Sequence, residues 1–97
     1  MYEIRFTPEA IEDLKSLRKP EQKEALDGIE SQLAHEPSVE TRNRKRVRPN
    51  KLAEWELRVG NLRVFYDVDA RVKIVRVEAV GRKEGSTLFI HGEEYEL

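Results

Sequence analysis

The segment Trp55 to Val68, WELRVGNLRVFYDV, constrains the fold more than any other part of the chain. With Gly60-Asn61 as a two-residue turn, Val59 pairs with Leu62, Arg58 with Arg63, Leu57 with Val64, Glu56 with Phe65 and Trp55 with Tyr66. Trp55, Leu57, Val59, Leu62, Val64 and Tyr66 then share one apolar face. A slip of one residue would expose all six together, so the register is firmly set. The opposite face carries two arginines directly across from each other. Like charges in that position cost a few tenths to about 1 kcal/mol. The hairpin either lets both guanidinium groups splay into water or holds an anion between them.

A chain of 97 residues makes one domain with a modest core. It has no cysteine, so neither a disulfide framework nor a thiolate metal site is available, as suits a reducing cytosol. Its two histidines, His35 and His91, are far apart and lack carboxylates at metal-ligand spacing, so neither a metal nor another cofactor is expected. No run of about 18 apolar residues and no signal-like apolar stretch after Met1 is present, which makes a soluble cytoplasmic protein the expectation. The net charge is -1, but residues 1–41 carry -5, residues 42–83 carry +8 and residues 84–97 carry -4. Such a split follows if helices hold the acids and one sheet face holds the bases, and it keeps a polyanionic partner in view.

Along the chain, Tyr2 to Phe6 alternates as a strand, and Thr7-Pro8-Glu9 is a helix start with Thr7 as N-cap and Pro8 in the first turn. Ile11, Leu14 and Leu17 supply the stripe of this helix, which Pro20 ends. Leu26, Ile29 and Leu33 supply that of a second helix, of which Pro20 can be the first-turn residue and which stops at His35-Glu36-Pro37. The short connection predicts an antiparallel helical hairpin lying on the sheet. Ser38 to Lys51 reads as a loop with one short strand and contains the basic run Arg42-Asn43-Arg44-Lys45-Arg46-Val47-Arg48. After the hairpin comes a strand from Val72 to Gly81, joined through Asp69-Ala70-Arg71. A three-residue loop sets Val77 beside Arg63 and a four-residue loop sets Arg76 there. Leu88-Phe89-Ile90 adds a short strand. The expected fold class is α+β: an N-terminal strand, an antiparallel helical hairpin, then a three- to four-stranded antiparallel meander.

This order, with the segments LRVGNLRVFYDV and VEAVGRK, resembles the RelE/ParE superfamily of toxins from type II toxin-antitoxin systems. The resemblance runs from the Tyr2 strand to Lys83 and fades over the last fourteen residues. It implies a toxin neutralised by a cognate antitoxin. RelE-like members are ribosome-dependent endoribonucleases that cleave mRNA without a metal, the 2'-hydroxyl attacking its own phosphate. Others poison DNA gyrase, and some survive only as binding modules or operon co-repressors. Under the nuclease reading, the resemblance makes Arg63 the transition-state stabiliser and gives Arg58 the task of orienting the phosphate or activating the 2'-hydroxyl. Arg82 or Lys83 stands near the scissile phosphate, and Lys83 aligns better with the family's catalytic arginine.

The chain departs from that pattern at Glu56, where the nucleases use lysine, and at Phe89, near a family tyrosine. Glu56 is a candidate base, or a plain cross-strand salt-bridge partner of an arginine. His91 and Tyr95 are the remaining titratable candidates near the C-terminus, His91 having the right chemistry for acid-base work or being an exposed turn residue before Gly92. Arg42, Arg44, Lys45, Arg46 and Arg48 are candidate RNA phosphate contacts or a solvated loop. Phe65, on the arginine face, is the candidate for stacking on a base, whereas Trp55 and Tyr66 belong to the core.

Overall fold

The computed structural model describes residues 1–96. β1 (Glu3–Phe6) is followed by α1 (Pro8–Ser16) and α2 (Lys19–Leu33). Six strands complete the chain: β2 (Arg44–Arg46), β3 (Trp55–Val59), β4 (Leu62–Asp69), β5 (Ile74–Glu84), β6 (Thr87–Ile90) and β7 (Glu93–Tyr95). The order is the expected strand, helical hairpin and antiparallel meander, extended by β7.

Local chemistry sets the helix bounds. Thr7 Oγ1 accepts the Ala10 N–H at 3.1 Å as N-cap and donates to the Glu78 carbonyl, also at 3.1 Å, so the cap that starts α1 also pins it to β5. The helix stops at Ser16 rather than at Pro20, because Leu17 and Arg18 are extended. Pro20 sits, as expected, in the first turn of α2, where its missing N–H costs nothing.

The helices turn smaller side chains to the sheet than the apolar pattern suggests. Ala10 and Asp13 of α1 are buried with Leu14 and Leu17 beside them, and Ala25, Ile29 and Leu33 of α2 are buried. Ile11 and Leu26, expected on the inner stripes, are 42% and 44% exposed. Spacings of four and seven residues put Ala10, Leu14 and Leu17 in one line, which rotates Ile11 outward. The alanines and Gly28 bring the helices close. A Cβ on Gly28 would lie 2.7 Å from Val59 Cγ2.

Strand order in the sheet is β2-β3-β4-β5-β6-β7. β1 lies parallel to the first half of β5, Glu3 to Phe6 against Ile74 to Val77, and β6 pairs with Arg82 to Glu84 near its end. The β3–β4 register is the one the alternation predicts, from Trp55 opposite Tyr66 to Val59 opposite Leu62. Gly60 has φ 58°, which suits the first central position of the tight turn.

The β4–β5 register is neither of the two expected. Asp69 faces Ile74 across a four-residue connection, and a bulge then shifts the ladder between Phe65 and Tyr66, so that Glu78 is the extra residue. Arg63 therefore faces Gly81, not Val77 or Arg76. The bulge is braced from α1: buried Asp13 accepts the Val80 N–H on Oδ2 at 2.9 Å.

Both faces of the sheet carry a core. Under the helices, Trp55, Leu57, Val64, Tyr66, Val75 and Val77 pack with Ile29 and Leu33. The Trp55 and Tyr66 rings stack with centroids 6.1 Å apart, and the Tyr66 hydroxyl donates to the Pro37 carbonyl at 2.8 Å. Burial pushes the Tyr66 phenol pKa well up. On the outer face, Phe65, Ala79, Leu88 and Ile90 form a smaller cluster with Ala53, flanked by Leu52 and Tyr95. Asn50 shapes the loop over it, its Oδ1 accepting from the amides of Leu52 (2.6 Å) and Ala53 (3.0 Å).

Candidate functional site

Alternation on β3 and β4 sends Glu56, Arg58 and Arg63 to the outer face, and Arg58 stands directly opposite Arg63 as the hairpin requires. On the far side of Arg63, the paired residue is Gly81, which offers no side chain. A Cβ there would meet the Phe89 carbonyl oxygen at 2.4 Å and Ile90 Cγ1 at 2.8 Å, so Gly81 is needed where β6 crosses close to the sheet. Arg63 Nη1 folds back onto the turn, donating to the carbonyls of Gly60 and Leu62, both at 2.9 Å. Partial burial pulls its pKa down, Glu56 opposes that shift and Arg58 adds to it. The guanidinium remains a cation at neutral pH.

Glu56 balances part of this charge. Its Oε2 lies 3.5 Å from Arg58 Nε, a pair made along one strand and not across strands as expected. The cross-strand neighbours of Glu56 are Lys45 on β2 and Phe65 on β4. Next to Glu56 opens a cavity of about 480 Å³ lined by Arg48, Glu56, Lys83, Ser86, Leu88, Tyr95 and Glu96. Lys83 faces it because it pairs with Leu88, an outer-face residue. One face thus carries Arg58, Arg63 and Lys45 beside Glu56, and Arg48 and Lys83 share the cavity with Glu56, the Tyr95 phenol and Glu96. Such a set can hold a phosphate, spread charge from a phosphorane and offer a carboxylate and a phenol for proton transfer.

The remaining sequence candidates go elsewhere. Arg82 projects to the helix side, where its Nη2 lies 2.5 Å from Glu21 Oε1, so of the Arg82–Lys83 pair only Lys83 joins the arginine face. His91 also lies on that side. It has φ 56° in the turn before Gly92, and its Nδ1–H donates at 2.6 Å to Asp13 Oδ1, since a carboxylate can only accept. Arg82, His91 and Phe89 border a separate cavity of about 270 Å³ with Asp13.

Phe65 is fully buried in the outer core, which corrects its reading as a base-stacking residue. Arg44 is 9% exposed and donates to the carbonyls of Val39 (2.9 Å) and Gln32 (2.7 Å), a helix C-terminal tie rather than an RNA contact. Arg46 lies over the Trp55 ring at 5.4 Å and 3.8 Å from Glu54. Arg42 and Lys45 are exposed, and Arg48 lines the outer cavity. Among the described residues, no three His, Asp or Glu side chains converge as a metal ligand set, and no helix is long and apolar enough to cross a membrane.

Asp13 is the residue that sequence reasoning passed over. The signal was present: position 13 shares a helix face with Ala10, Leu14 and Leu17, so an acid there is an acid on the buried stripe.

A helical hairpin on an antiparallel sheet, with cations concentrated on the open face, defines the RelE/ParE class of toxin. The family model described as ParE toxin of type II toxin-antitoxin system, parDE, matches residues 4–85. The chain belongs to that family. Among solved structures it is similar to the toxin-antitoxin complex RelBE2 from Mycobacterium tuberculosis, with 26% sequence identity and a TM-score of 0.74. That likeness covers 84% of this chain and 91% of the matched one. No curated protein sequence matches the chain. The β6–β7 hairpin, with His91 and Tyr95, lies beyond the segment that the family model matches.

Proposed function

We propose that this toxin is a ribosome-dependent mRNA endoribonuclease, restrained by a cognate antitoxin that covers its basic face. The observation that carries the reading is the gathering of Arg58, Arg63 and Lys83 on one open sheet face, with Glu56 the carboxylate paired into it. In the proposed reaction, the 2'-oxygen bonds to phosphorus as the bond from phosphorus to the 5'-oxygen breaks. Glu56 accepts the 2' proton, and the departing 5'-oxygen takes a proton from the Tyr95 phenol or from water. Arg63 and Lys83 meet the charge that grows on the non-bridging oxygens, a task worth about 10²–10³ in rate per well-placed donor. Arg58, held by Glu56, orients the phosphate. Lys45, Arg48 and Arg42 add backbone affinity without reading sequence.

A second reading has its own support. The matching family model is that of a ParE toxin, and ParE-like members act as gyrase inhibitors in which the helical hairpin matters more than the arginine face. The two are separated by adding the purified chain to a cell-free translation reaction and, in parallel, to a DNA gyrase supercoiling reaction. The nuclease reading expects translation to stop and supercoiling to proceed. Inhibited supercoiling with undisturbed translation would replace it with the gyrase reading.

A further inference from the structure

The β6–β7 hairpin reaches the candidate site from beyond the segment that the family model matches, and a polar contact ties its turn to the body of the fold. Buried Asp13 on α1 accepts from His91 Nδ1 on one oxygen and from the Val80 amide on the other. The residues of the hairpin that face outward from that anchor are Leu88 and Ile90, which close the outer core, and Tyr95, which borders the cavity beside Lys83 and Glu56.

We propose that the Asp13–His91 contact positions the hairpin so that Tyr95 stands at the Lys83–Glu56 cavity, making His91 a positioning residue for RNA held there; the RNA part rests on the nuclease reading. The geometry of the turn supports a dedicated contact. His91 keeps φ 56°, a left-handed conformation that an ordinary side chain resists. Without its bond to Asp13 the turn keeps only its own strand pairing, and the buried carboxylate loses a donor. Asparagine is the informative replacement. Its side-chain amide nitrogen falls near the position of histidine Nδ1, and it tolerates the left-handed region well.

The test uses the full chain with His91→Ala, His91→Asn, Tyr95→Ala and the double variant His91→Ala/Tyr95→Ala. NMR contacts between the Tyr95 ring and the Lys83 methylenes, on the strand outside the hairpin that lines the same cavity, report the placement directly. They are expected in the native chain and in His91→Asn and to be lost in His91→Ala, while amide protection in β3 and β4 stays. Contacts that persist in His91→Ala overturn the proposal. Affinity for a short single-stranded oligoribonucleotide supplies the functional arm. His91→Ala and Tyr95→Ala each weaken binding about tenfold, and the double variant weakens it no further, because both remove the same ring from the site. Additive losses would mean that His91 does not act through Tyr95. If the native chain does not bind the oligoribonucleotide, the RNA part of this proposal falls, the ribosome-dependent nuclease reading is decided by the translation assay, and the ring contacts still decide the tether.

Discussion

Arg44 and Arg63 are chemically identical and do opposite work, and their partners explain why. Arg44 spends its donors on the carbonyls of Gln32 and Val39, whereas Arg63, on the outer face, bonds through Nη1 to two carbonyls of its own turn. Arg44→Ala should lower stability by about 2–3 kcal/mol in urea unfolding, since buried acceptors lose a charged donor. The folded variant should bind RNA as the native chain does. Phe65→Leu should cost about 1 kcal/mol of stability and leave RNA affinity unchanged, because the ring is a core residue. Glu78 gives a pH test. Burial, then its hydrogen bond with Asp67, raises its pKa above 4.5, against the pull of Arg76. The fold therefore favours the protonated form, a contribution complete below 4.5 and lost as pH rises through the folded value. Glu78→Gln should raise the melting temperature at pH 7, with the gain vanishing toward pH 4. The run RNRKRVR looks uniform in sequence, and only strand pairing reveals that Arg44 and Arg46 turn to the helix side while Lys45 turns out. That sorting could not be read without knowing β2 and its partner.

The β3–β4 hairpin was legible because six apolar side chains at period two and a Gly-Asn turn all specify one register. β5 was less so. Its segment has apolar residues on both faces, and a bulge adds a residue that no periodicity announces. The helices were legible as elements but not in their rotation, since Ala10, Asp13 and Ala25 contribute burial that an apolar count overlooks. Gly81 shows how one position serves two elements. It leaves room beside Arg63 and lets β6 cross within van der Waals range of the sheet. Gly81→Ala should destabilise the chain by about 2–3 kcal/mol, because the obstruction is a backbone carbonyl that cannot rotate away. Hydrogen exchange should show the loss first in β6 and β7. Exchange that quickens only in β1 and α1 would contradict this view of the crossing.

Across the whole molecule, the acidic N-terminal segment and part of the basic middle fall on different surfaces, while Glu96 of the acidic end lines the outer cavity with Lys83. The acids of α1 and α2 lie on the helical layer, and Arg58, Arg63 and Lys83 occupy the outer sheet face. The arrangement suits a protein that meets a polyanion with one face. Arg58 and Arg63 were legible as a pair from the hairpin, and Lys83 was preferred over Arg82 by resemblance. The placement of Tyr95 was not legible, because it depends on a C-terminal hairpin anchored by an aspartate some eighty residues earlier in the chain. On the proposed reading, the outer face cleaves message on the ribosome. The most direct test of that reading maps mRNA 5' ends by primer extension in a cell-free translation reaction containing the native chain or Arg63→Ala. The account predicts new ends within codons, dependent on translating ribosomes and reduced about 10²-fold or more by the substitution. Intact message with the native chain, or equal cleavage by Arg63→Ala, would contradict it.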